Sequence, residues 1–152
     1  MVEIRAVQPD DVIDLVVNMR QADLEELAAL KVRDFVGAVA HSIEHSAFCY
    51  TATSDGKVAA IFGVVPAAGM IDPWGVPWML GTDLVRKHQR VLMRESRPYI
   101  QRMLRAYPHL FNYVHAENHA AKRWLKSVGF SLQPAEPHGP LGAPFHRFDM
   151  RA

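Results

Sequence analysis

An α/β fold, with a mixed, mostly antiparallel twisted sheet of six to seven strands flanked by about four helices, is predicted by three observations. Apolar residues switch along the chain between the two-residue period of strands and the 3.6-residue period of helices. The segments follow one another in the order β–α–α–β–β–β–α–β–α–β–β. Ser54-Asp55-Gly56-Lys57 joins two of the strands with the chemistry of a tight hairpin. Strands alternating with helices, plus one early hairpin, imply a sheet covered on both faces. The 152 residues suit one domain spanning the chain and suffice for a substantial core.

Val2 to Val7 alternates apolar and polar residues and reads as the first strand. Pro9-Asp10-Asp11 supplies a turn and a cap, and Val12, Leu15, Val16 and Met19 then recur at helical spacing, predicting a helix from Asp10 to Met19. A second helical pattern starts at Ala22, carries Leu24, Leu27, Ala28 and Val32, and continues or restarts through Phe35, Val39 and Ile43. Ala47–Thr53 and Lys57–Val65 are the hairpin strands, the second apolar enough to be central. Residues 66–77 read as a Pro/Gly-punctuated loop with Trp74 and Trp78 flanking its end, and Trp78–Asp83 as a short strand. A basic helix from Leu84 to Tyr107 contains Pro98, which predicts a kink or a restart near Ser96. Phe111–Ala116 is the next strand, followed by a helix from Asn118 to Val128 that Gly129 stops. Phe130 opens a further strand, and a tail rich in Pro and Gly loops before a last strand over Phe145–Met150.

The formal charge of +1 conceals an asymmetry. Residues 1–83 carry a net −7, whereas residues 84–126 carry a net +8. Such a split fits an anionic partner for the second segment, or self-association of unlike faces as a homodimer; a solvated arginine-rich helix is the plain alternative. The lone Cys49 excludes an internal disulfide and fits a reducing, cytoplasmic setting, with Cys49 itself a small core residue. No apolar run approaches the length of a membrane span, and the N-terminus lacks a secretory pattern. His41 and His45 stand four apart around Glu44 but lack a metal signature, so no metal is expected.

Asn118, Ala121, Trp124, Gly129 and Phe130 fall at the spacing of a known signature: Asn, Ala three residues on, an apolar residue at plus six, Gly-Phe at plus eleven and twelve. This segment resembles the C-terminal motif of the GNAT superfamily, the acetyl-CoA-dependent N-acyltransferases, and the element order resembles that superfamily over nearly the whole chain. The resemblance implies the GNAT fold, acetyl-CoA as cofactor and an amine as substrate. It implies pantetheine contacts from Leu80 and Thr82, phosphate contacts from Arg86, Lys87, Arg90 and Val91, and cofactor contacts from Asn118 and Ala121. A narrower likeness, carried by Trp78–Asp83, the glycine-free basic helix, Tyr107–Val114 and Asn118–Lys126, is to the GNAT-like internal virion proteins of short-tailed bacteriophages. It implies phage virion partners and a place in the host cytoplasm or the particle.

Two departures stand against catalysis. The superfamily grips the cofactor pyrophosphate with an Arg/Gln-x-x-Gly-x-Gly/Ala loop, because glycines let backbone amides approach the phosphates. Here Arg86-Lys87-His88-Gln89-Arg90-Val91 occupies that place, and no glycine lies between Gly81 and Gly129. Arg86, Lys87 and Arg90 offer side-chain cations instead. The tyrosine that many members use as acid is replaced by Leu125, and Tyr113 on the preceding strand has no motif support. For the base that must take the ammonium proton, Asp83 and His115 are the candidates, with Glu117 beside His115; a helix cap, a satisfied strand histidine and a charge balance are their structural alternatives. Three functions follow: acetyl transfer to an amine, a non-catalytic binding role for the same fold in a phage particle, and DNA binding through residues 84–105, the last without a recognised nucleic-acid motif.

Overall fold

Residue chemistry explains each element in the computed structural model, which describes residues 1–67 and 73–152. The alternating segment forms β1 (Val2–Ala6), and Pro9 opens α1 (Pro9–Val17), its fixed φ suited to a first helical turn. Gln8, rather than the expected Pro9-Asp10-Asp11 segment, is the cap residue, and its amide donates to Asp11 Oδ2 at 2.7 Å. The second helical pattern restarts rather than continues. α2 (Gln21–Ala29) ends at Leu30, Lys31 takes a positive φ of 63°, and Asp34 caps α3 (Phe35–His45) by accepting from the Gly37 amide at 2.9 Å.

The hairpin forms as its sequence requires. β2 (Phe48–Ser54) turns through Asp55 and Gly56, at φ 50° and 82°, into β3 (Lys57–Pro66), matching the right-handed twist of the strands. β4 (Trp74–Gly81) begins earlier than expected, because Trp74–Pro77 pairs regularly with Val64–Pro66 and beyond; both tryptophans therefore lie in a strand. The middle of the loop expected over residues 66–77 lies outside the described residues.

The basic segment divides into α4 (Leu84–Lys87) and α5 (Gln89–Ala106), with the break at His88 and not near Ser96. Pro98 is tolerated inside α5: it and Arg94, whose carbonyl it leaves without a donor, both face solvent, where water can satisfy that carbonyl. β5 (His109–His115) follows, then α6 (His119–Val128), which Asn118 caps by accepting from the Ala121 amide at 3.3 Å and Gly129 ends at φ 110°. β6 (Ser131–Leu132), an unexpected β7 (Glu136–His138) and β8 (Ala143–Arg151) complete the chain.

The strands form one mostly antiparallel sheet in the order β1-β2-β3-β4-β5-β8-β6, with β7 also on β8. The described residues thus hold eight strands and six helices, more than expected because short β7 and α4 carry no periodic signal and because the second helical pattern divides into α2 and α3. One face packs Leu15, Met19 and Val39 of the α1–α3 side against Val58, Ile61, Trp78 and Leu80. The other packs Leu92, Met103, Leu104 and Leu125 against Ala60, Phe62, Val114 and Phe148. Asp11 ties β1, α1 and β2 together: it receives both Arg5 nitrogens at 2.8 and 2.9 Å and the Thr51 hydroxyl at 2.8 Å. No helix among the described residues is long and apolar enough to cross a membrane.

Candidate active site

The site begins as a fault in the sheet. β4 and β5 are the parallel pair, and among the described residues only Trp74↔His109 and Gly75↔Leu110 are in register before the strands part. Beyond that point each strand presents amides and carbonyls that have lost a ladder partner, and buried groups of this kind must be satisfied some other way. Asn112 provides the first substitute: its Nδ2 donates to Pro77 O at 2.7 Å, and its Oδ1 accepts from the Tyr113 amide at 2.8 Å.

At the far end α2 enters the gap. Asp23 Oδ2 accepts the Gly81 amide of β4 at 2.8 Å, and Glu26 Oε1 accepts the His115 amide of β5 at 2.7 Å. Asn118 Nδ2 reaches both carboxylates, at 3.3 Å to Asp23 and 3.4 Å to Glu26, and Arg20 Nε donates to Asp23 at 2.8 Å. The i, i+3 spacing puts Asp23 and Glu26 on one face of the helix. Between these ends, strand alternation directs the Met79 amide into the gap: Thr82 donates to Ala59 on the β3 side, Gly81 donates away from it, and Met79 lies two residues before Gly81 in unbroken register.

A cleft of about 310 Å³ occupies this place. Its lining extends from Val85 and Leu92 at the start of the basic helices, past Met79 and Leu80, to Glu26 and Asn118. Burial, with the nearby Asp23 charge, raises the pKa of Glu26 to about 7; the His115 amide and Asn118 pull in the opposite direction without cancelling it. A carboxyl titrating near neutrality inside a cleft is suited to receive and release a proton.

The residues singled out by sequence fall into two groups. Leu80, Asn118 and Ala121 line the cleft. Arg86, Lys87 and Arg90 are exposed around the α4–α5 junction, and Val91 is half-buried beside them. The helical turn of α4 stands where the glycine loop was looked for, so the chain reaches α5 without a positive φ; His88 closes the turn and pairs with Ser54 Oγ at 2.9 Å. By helix geometry the first amides of α5 have no intrahelical acceptor.

The remaining candidates are not brought into the cleft. Thr82 is buried and its hydroxyl is committed to Val58 O at 3.0 Å. Asp83 is exposed and makes no side-chain cap bond. His115 gives the site its backbone amide, while its ring accepts from the Glu117 amide at 3.1 Å and meets Phe145 edge-on. Glu117 is exposed, within 3.4 Å of His119. Sequence reasoning missed Glu26, Asp23, Met79 and Asn112. Only the acidic pair on an otherwise apolar helix face near Leu24 and Leu27 offered a signal.

Comparison with solved structures fits this architecture. AAC(6')-Ib in complex with ribostamycin and coenzyme A is 15% identical, with a TM-score of 0.72 over 99% of this chain and 93% of that one. The aminoglycoside N(6')-acetyltransferase of Legionella pneumophila is 9% identical, with a TM-score of 0.70 over 99% and 91%. A ribosomal-protein-alanine N-acetyltransferase from Escherichia coli is 15% identical, with a TM-score of 0.66 over 99% and 94%. No protein-family model matches the sequence, and no curated protein matches it. At these identities the likeness establishes architecture, and the chain has the fold of the GNAT acetyltransferases.

Proposed function

We propose that the protein is an N-acetyltransferase that moves an acetyl group from acetyl-CoA to a primary amine. The observation carrying this reading is the β4–β5 cleft, with the Met79 amide directed into it and the Glu26 carboxylate at its end. The residues fit the cofactor in kind: apolar walls at Leu80, Val85 and Leu92 for the pantetheine arm, and exposed Arg86, Lys87 and Arg90 for its phosphates. Acetyl-CoA supplies an activated acetyl thioester. Glu26 takes a proton from the incoming ammonium so that the nitrogen lone pair can attack, and the Met79 N–H donates to the carbonyl oxygen as negative charge develops on it. With acetyl-CoA bound, the C–N bond would form and the C–S bond break, the nitrogen releasing its second proton to solvent and the departing thiolate taking one from it. In this reading the base is on α2, in place of Asp83 or His115.

A second reading is favoured by the α4 turn. Without glycine the backbone at Arg86–Val91 stands off from a bound pyrophosphate, which suits a GNAT fold kept for binding, as in a phage virion protein. Titration calorimetry with acetyl-CoA separates the two. Micromolar binding that is lost in the Arg86→Ala/Arg90→Ala variant supports the enzyme; no binding at millimolar acetyl-CoA by folded protein leaves the binding role.

A further inference from the structure

A second cavity, of about 370 Å³, opens on the side of the sheet that carries α2, and Tyr113 lines both it and the cleft. Its other walls come from Gln133, Pro134, β7 and the adjoining part of β8, including His138, Glu136 and Arg147. Arg147 faces Tyr113 across the β5–β8 ladder. Its guanidinium lies 4.8 Å from the centre of the Phe111 ring and 5.9 Å from that of Trp74, an arrangement that fixes a cation through ring faces.

What Arg147 lacks is an anion. Among the described residues no carboxylate lies within ion-pair distance of it, and its buried Nε has no hydrogen-bond partner. Buried polar atoms are ordinarily satisfied, and an exception calls for an explanation. Glu136 shares the cavity but is solvent-exposed, so its charge is largely screened. A guanidinium positioned by aromatic rings and left without a counter-ion is prepared for a carboxylate, which it can bind with two parallel hydrogen bonds.

Resting on the acetyl-transfer reading, we propose that this cavity anchors the acceptor, and that the acceptor is an amine carrying a carboxylate some distance from its nitrogen, held by Arg147 at one end and presented to Glu26 at the other. Spacing sets the length. Glu26 meets β5 at His115, whereas Arg147, rooted opposite Tyr113, carries its guanidinium along the strand to the Phe111 ring, four residues from His115. With rises of about 3.3 Å per residue, the anchors are on the order of 13 Å from one another, a span that includes a hydrogen bond of about 3 Å at each end. An extended ω-amino acid or a dipeptide spans that distance; an α-amino acid does not.

The test uses 6-aminohexanoate, its amide 6-aminohexanamide, and glycine, titrated into the full chain without acetyl-CoA and followed by calorimetry. The expected result is 6-aminohexanoate binding about tenfold or more tightly than either control, a preference that disappears in Arg147→Gln and partly persists in Arg147→Lys. Acetyl-CoA affinity should be unchanged in both variants, which also shows that they fold. Equal affinities for the three probes, no binding of any, or a preference untouched by Arg147→Gln would overturn the anchor. Carboxylate preference with no acetyl-CoA binding would sink the acetyl-transfer reading and keep the anchor; acetyl-CoA binding without the preference would do the reverse.

Discussion

Asp23 and Glu26 sit one turn apart on α2, and each accepts the amide of a different strand, Gly81 of β4 and His115 of β5. The two differ in what surrounds them. Asp23 is 1% exposed and paired with Arg20, whereas Glu26 shares its surroundings with that second carboxylate and has no cation of its own among the described residues. This division leaves Asp23 held by a cation and Glu26 without one.

Replacing Glu26 with Gln keeps an oxygen for the His115 amide and removes the base that the acetyl-transfer proposal assigns. With a competent acceptor, kcat should fall on the order of 10²–10⁴-fold. The wild-type rate should rise with pH through the Glu26 pKa of about 7. A pH profile of kcat/KM in both proteins checks this; an unchanged inflection in Glu26→Gln would assign the proton transfer elsewhere.

The same group gives a stability signature. Its folded pKa, about 7, lies above the ordinary 4.5, so the native state binds the extra proton and this contribution is lost as pH rises between those values. Glu26→Gln should therefore be more stable than wild type at pH 8, by on the order of 2 kcal/mol, and nearly equal to it at pH 4. Urea denaturation at the two pH values measures the difference.

Asp11 should behave with the opposite sign. Burial opposes its ionisation, but the Arg5 fork, the Gln8 amide and the Thr51 hydroxyl hold its pKa below the usual carboxylate range. Its contribution is present above the unfolded pKa and lost as pH falls through the depressed one. Asp11→Asn should cost about 3 kcal/mol at pH 7, read from the urea midpoint, and less in acid.

Asn112→Ala removes the strut between β4 and β5 and leaves Pro77 O and the Tyr113 amide without a partner. The expected loss is about 2 kcal/mol in the same denaturation assay, with weakened acetyl-CoA binding as the cleft walls lose their spacing. Retained affinity would mean that the cleft does not depend on that strut.

Gly139 takes a φ of +78°, and a β-carbon there would lie 2.9 Å from Leu30 Cδ2, where the tail meets the end of α2. Gly142, at φ +64°, has open space around it. Gly139→Ala should cost more than the roughly 1–2 kcal/mol of backbone strain expected at Gly142→Ala, and Leu30→Ala should recover the excess. Thermal melts of the three variants measure the comparison.

The parts of the fold written in local chemistry were legible. Asp55-Gly56 supports its hairpin with two positive φ angles, and Asn118 and Gly129 bound α6 as a cap and a stop. The restart expected near Ser96 does not occur: α5 runs on through Pro98, where both it and Arg94 are exposed to water. β7 was not foreseen because three residues containing a proline have no period and form a strand only against β8. The site was less legible than the fold. Asn118 was found through its motif, yet its Nδ2 bonds to Asp23 and Glu26 cross more than ninety residues of sequence. Glu26 looks in sequence like its neighbour Glu25, which is exposed; only the parting of two strands distinguishes them.

That parting also sets how the molecule breathes. Among the described residues, two rungs of β4–β5 ladder join the halves of the sheet by backbone, and the rest of the connection passes through side chains, among them Asn112, Asp23, Glu26, Asn118 and the Trp74–Phe111 contact. The seam is thus the place where opening requires the fewest backbone bonds to break. Amide exchange should be faster at Met79 and Tyr113 than on β3, and a ligand lying along the seam would act as a zip, slowing exchange in both halves at once.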